Sequence, residues 1–121
     1  MRRTLAAAAA VLATLTLTTA CGDEETPSSS GSSDPKVIKV TFDGDSVDPS
    51  GERVEVATGQ DIELDVTADE AGEIHVHSSP EQELEYEAGE HTVVIKGIDQ
   101  PGTVDVESHS LDKVIVQLEV R

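Results

Sequence analysis

The sequence predicts an all-β domain, a sandwich of about seven to eight strands, set behind a targeting segment and a tether. Three observations carry this expectation. From Lys36 onward Val, Ile and Leu recur at every second position in short runs. Gly, Pro, Asp and Ser interrupt those runs at turn-like intervals, and no stretch keeps a helical period beyond a turn around Ala68–Gly72. With no Trp, one Tyr and one Phe, the core must also be built from aliphatic, largely β-branched side chains, which favour strands.

Taken in order, strands are expected at 36–42, 53–57, 61–67, 73–78, 83–87, 91–97, 102–109 and 113–120. Their in-phase apolar sets are Ile38, Val40 and Phe42; Val54 and Val56; Ile62, Leu64 and Val66; Ile74 and Val76; Val104 and Val106; and Val114, Val116, Leu118 and Val120. Opposite them stand Glu55, Glu63, Asp65, Asp105, Glu107, Gln117 and Glu119, so one face is core and the other solvent, as in an antiparallel sandwich. The domain, residues 36–121, is small and holds no cysteine, so no disulfide supplements its core.

Ahead of it, Arg2 and Arg3 precede an apolar run from Leu5 to Ala20, the layout of a signal peptide over residues 1–20. The run is short for a span of ~20 residues, and a polar, acidic stretch follows at once, which places a transmembrane anchor second. It ends Leu17-Thr18-Thr19-Ala20-Cys21, and Cys21 is the sole cysteine of the chain. This junction resembles a bacterial lipobox, with Leu17 one place further from the cysteine than in the commonest form. The resemblance implies cleavage before Cys21, lipidation of its thiol and a protein held on the extracytoplasmic face of the cell membrane. The rival is a soluble secreted protein with a free thiol, a liability in an oxidising compartment. Residues 21–35 offer almost no apolar surface to bury and are expected to be a disordered tether.

Charge removes further classes. Eight Lys and Arg face 25 Asp and Glu, a net −17, and loss of Arg2 and Arg3 leaves six against 25, or −19. The remaining basic residues are scattered singly, so no nucleic-acid partner is expected, and an anionic membrane surface would repel the domain, leaving anchorage to the lipid. The acidic surface itself reads first as a solubilising face. The domain has no cysteine nucleophile, no Gly-rich phosphate loop and no Ser in a nucleophile elbow, and the sequence is read as non-enzymatic.

Histidines are the candidate chemistry. His75 and His77 share one face of a strand, opposite in parity to Ile74 and Val76, while His109 ends a later strand and His91 opens the one before it. Imidazoles at i and i+2, joined by a third from a neighbouring strand end, suit Cu(II) or Zn(II), so His75, His77 and His109 are the candidate metal ligands. The competing reading makes them surface residues or ion-pair partners. The acidic run Asp43-Gly44-Asp45-Ser46-Val47-Asp48 could hold Ca²⁺ but lacks the length and terminal Glu of an EF-hand loop, and is read as a plain turn.

Gly72-Glu73-Ile74-His75-Val76-His77, Glu87-Ala88-Gly89-Glu90, Asp99-Gln100-Pro101-Gly102-Thr103-Val104 and Leu118-Glu119-Val120-Arg121 together resemble the second half of a cupredoxin-like domain. Actinobacterial lipoproteins with such domains are similar in layout, and the spacing also resembles the copper domain of cytochrome oxidase subunit II. The resemblance covers roughly residues 50–121 and implies a Greek-key β-sandwich with an upstream histidine ligand, matched by His75. It also implies a downstream ligand loop in which His109 is the ligand-capable residue. The departures are as informative. Where the family's loop carries a cysteine this chain reads Glu107-Ser108-His109-Ser110, and no methionine follows, so a blue copper–thiolate centre is not expected. The leading reading is a Cu(II)-binding module built from histidines; its rivals are a metal-free interaction module at the cell surface and, more remotely, a redox carrier.

Overall fold

Every second residue turning inward is what the alternation demands, and in a computed structural model, which describes residues 34–121, it yields nine strands and no helix. The expected signal peptide 1–20, Cys21 and the tether up to residue 33 lie outside the described residues. The strands are β1 (Lys36–Asp43), β2 (Ser46–Asp48), β3 (Glu52–Val56), β4 (Ile62–Ala68), β5 (Gly72–Val76), β6 (Gln82–Tyr86), β7 (Gly89–Ile95), β8 (Gly102–Ser108) and β9 (Lys113–Val120). They form two sheets, ordered β2-β1-β4-β7 and β3-β9-β8-β5-β6.

Between the sheets lie the aliphatic sets anticipated from the alternation. Val40, Ile62, Leu64, Ile74, Val76, Val106, Val116 and Leu118 are fully buried, and Ile95, Ile98 and Ile115 join them. Burying a side chain of this size is worth about 1.5–3 kcal/mol each, which is how so small a domain stands without a cross-link. Phe42 and Tyr86 stack at one end of the sandwich, ring centroids 5.0 Å apart and 13° between planes.

Three features differ from the expectation. The sheets are mixed: β1 runs parallel to β4, and β3 parallel to β9. Alternation states which face of a strand is buried but not which strand lies beside it, and because β3 crosses to the second sheet, the chain returns in β4 alongside β1 in the same direction. Secondly, the acidic run 43–48 is a hairpin and not only a turn. Gly44, at φ +56°, takes the left-handed first position of a two-residue loop, and Val47 of β2 turns into the core. Thirdly, Ile115 is a β-bulge. Val106 pairs with Val116 but Glu107 with Val114, so Ile115 and Val116 are both buried while Val114, expected inside, is carried to the outer face and half-exposed.

The outer face of the five-stranded sheet collects charge. In β5 the residues alternating with Ile74 and Val76 point outward, and register places Glu85 opposite Glu73, and Glu83 and Glu107 on either side of His75. This face, at the end where β5 begins and β8 stops, carries the candidate site.

Candidate metal centre

The pleat of β5 turns Glu73 and His75 outward, and His77, the residue after the strand, continues their row. β8 runs antiparallel beside it, with Ser108 opposite Ile74, so the first residue beyond β8 lands against Glu73. That residue is His109, whose backbone N–H donates to the Glu73 carbonyl at 3.0 Å. Its ring lies over that of His75, with centroids 4.7 Å apart and planes inclined by 21°.

Glu73, His75 and His109 each offer one donor atom, and the three lie within 4.8 Å of one another. The His75 Nε2–H donates to a Glu73 carboxylate oxygen, while Glu83 Oε1 stands 3.9 Å from the same nitrogen. The hydrogen bond to Glu73 is the main reason that the His75 pKa is raised above 6.5; partial burial opposes it, and the charges of Glu73, Glu83 and Glu81 add to it. The set faces solvent, His109 most openly, so an ion can reach it without a channel.

His77 is not drawn into this group. One residue beyond the end of β5, its backbone N–H meets the Asp105 carbonyl at 2.9 Å, its Nε2 donates to Glu107 at 2.9 Å, and its Nδ1 lies 3.7 Å from Glu81. His91 sits on β7 in the other sheet, its Nε2 within 3.1 Å of the Ala88 carbonyl oxygen. Of the three histidines singled out from the sequence, the structure brings together His75 and His109 and adds Glu73, which sequence reasoning missed. What finds Glu73 is the β5–β8 register, in which a residue just past the end of β8 faces the beginning of β5 and so neighbours Glu73 and not His77, and neither strand's own residues carry that register.

The end of the sandwich behind the site is held by buried polar contacts. Ser108 is 1% exposed; its Oγ accepts from the Leu111 N–H at 3.3 Å and lies 3.4 Å from Ser110 Oγ. Burial pushes the Tyr86 phenol upward in pKa, partly offset by its hydrogen bond with Ser110. A Cβ at Gly72 would overlap the Tyr86 hydroxyl, so β5 opens on the one residue that leaves that space.

The donors decide which metal chemistry fits. Residues 34–121 contain neither Cys nor Met, so a copper–thiolate centre does not fit. Two imidazole nitrogens and one carboxylate oxygen, with open positions toward water, fit a borderline divalent ion such as Cu(II) or Zn(II).

No protein-family model matches the chain, and neither does the sequence of any curated protein. Solved structures do. A proline-to-glycine mutant of amicyanin in its reduced Cu(I) form at pH 4 superposes with a TM-score of 0.51 at 11% identity, over 78% of this chain and 95% of that one. A reduced tryptophan-to-tyrosine mutant of amicyanin gives 0.50 at 10% identity, over 74% and 94%. The likeness is one of fold: the domain is a cupredoxin-like β-sandwich.

Proposed function

We propose that the chain is a lipoprotein held through Cys21 on the extracytoplasmic face of a cell membrane, and that its cupredoxin-like domain binds a divalent transition-metal ion, Cu(II) foremost, without being an enzyme. The observation that carries the metal reading is the convergence of Glu73, His75 and His109 within 4.8 Å. Glu81, Glu83 and Glu107 surround these donors with negative charge, which concentrates cations at the face. The non-enzymatic reading is supported by Ser108, the buried serine of the described residues, which contacts Ser110 and a backbone amide instead of a histidine base.

Anchorage rests on Arg2, Arg3, the apolar run to Ala20 and Cys21. Two acyl chains on that cysteine would hold an acidic domain at a surface that otherwise repels it.

One observation favours the metal-free interaction module instead. His75 and His77 already have carboxylate partners in Glu73 and Glu107, so both are satisfied by hydrogen bonds without any metal. Competition titration of Cu(II) against a chelator separates the two readings. The acidic face will bind some copper loosely in every variant, so the comparison is between His109→Ala, expected to weaken the tight site, and His91→Ala, expected to leave it unchanged. Equal affinities for the two variants would refute the metal reading.

A further inference from the structure

We infer that the Glu73–His75–His109 site discriminates by oxidation state, holding copper as Cu(II) and surrendering it when a one-electron donor reduces it to Cu(I). The inference rests on the metal reading above and adds a trigger for release.

Cu(I) is a soft ion that favours thiolate and thioether sulfur, and residues 34–121 contain neither Cys nor Met. The carboxylate of Glu73 is a hard donor whose attraction halves when the ion's charge falls from two to one, as does that of Glu83 and Glu107 nearby. Reduction therefore throws the ion back on two imidazoles.

Two imidazoles alone hold Cu(I) best in a line, with nitrogens on opposite sides of the metal. Here the rings of His75 and His109 lie side by side, 4.7 Å between centroids and 21° between planes, and present their nitrogens from neighbouring positions. Opposing them would require unstacking the pair. The backbones cannot supply that movement, since His75 lies within the β5 ladder and the His109 N–H is bonded to the Glu73 carbonyl. A divalent ion, by contrast, takes the Glu73 oxygen and water as well as imidazole, so it does not depend on opposed nitrogens.

The release step balances simply. One electron from an external donor, ascorbate in the test, converts Cu(II) to Cu(I); two copper–nitrogen bonds and one copper–oxygen bond break. His75 Nε2 takes a proton from a buffer acid, whose conjugate base stays in solution, and returns to its hydrogen bond with Glu73. No protein group is oxidised or reduced.

The test uses the full chain carrying Cys21→Ser, which removes the sole thiol. Loaded with one equivalent of Cu(II), it is dialysed without oxygen against metal-free buffer, with or without ascorbate, and the retained copper is measured. Copper is expected to stay without ascorbate and to leave with it, while a Zn(II)-loaded sample, which ascorbate cannot reduce, keeps its metal under both conditions. Glu73→Met, loaded directly with Cu(I), is expected to retain it, because a thioether replaces the hard donor. Stoichiometric copper in the reduced Cys21→Ser protein, or loss of Cu(I) from Glu73→Met, would overturn the inference while leaving Cu(II) binding intact. Failure to retain Cu(II) before any reduction would instead overturn the metal reading itself, and this inference with it.

Discussion

Replacing Glu73 by Gln tests the site through two effects that the structure couples. In the native protein the Glu73 carboxylate is both a candidate ligand and the largest cause of the raised His75 pKa; the charges of Glu83 on β6 and Glu81 before it add to that rise, with Glu107 on β8 at the paired position and His109 stacked above. A metal must displace the His75 proton, so affinity should fall with acidification, beginning above pH 6.5 in the native chain. Glu73→Gln removes the main cause, and the fall should begin at lower pH, closer to the ordinary imidazole value, because Glu81 and Glu83 remain. At alkaline pH, where proton competition is gone, only the lost donor counts. Removing even an outer partner of a metal-bound histidine costs ~10–100-fold, so the loss there should be at least about that large. Without metal, a raised histidine pKa stabilises the fold fully below about pH 6.5 and ceases to do so as pH rises through the raised value. The stability gap between native and Glu73→Gln proteins should therefore be widest in mild acid and close toward alkaline pH. Chelator-competition titrations and denaturant melts from pH 5 to 9 measure both. An unmoved pH midpoint, or an unchanged affinity at alkaline pH, would refute the role given to Glu73.

Leu64 is fully buried on β4 between β1 and β7, so Leu64→Ala should cost about 2–5 kcal/mol, a large share of the ~0.05–0.15 kcal/mol per residue that holds such a domain; urea unfolding will show it. An unchanged midpoint would put Leu64 outside the core. Cys21→Ala should leave the protein unprocessed or release it into the medium, as cell fractionation will show, and a correctly cleaved variant still retained in membranes would refute lipid anchorage. His77→Ala should weaken tight Cu(II) binding far less than His109→Ala, because His77 pairs with Glu107 and Glu81 away from the donors; equal losses would place it in the site.

What could be read from the sequence was what depends on a strand alone. Ile62, Leu64 and Val66 alternate with acids, and the face they bury follows without knowledge of any neighbour. The parallel partnerships of β1 and β3 were not legible, because nothing in a strand's own residues encodes the direction of the chain beside it. The run Val114-Ile115-Val116 hid the bulge for a related reason: three consecutive aliphatic residues carry no phase. At the site, His75 and His109 were visible as rare residue types, whereas Glu73 was one carboxylate among 25 acids and gained meaning only from the β5–β8 register. His77 looked equivalent to His75 because parity records the face of a strand and not the distance along it.

The parallel pairing of β3 with β9 bears on the order in which the molecule can come into being. Glu52 pairs with Val116 and Val56 with Val120, so a strand made early in the domain waits for β9, the last strand of the described residues. A chain emerging from its N-terminus can close the β1–β2 hairpin and then add β4 and β7, but the second sheet gains its β3 edge only once β9 has been made. Such distant closures slow folding and leave an unsatisfied edge exposed meanwhile. If the segment before the domain directs export, this delay is useful, because a chain that has not yet made β9 cannot finish its second sheet and stays threadable while it is being moved.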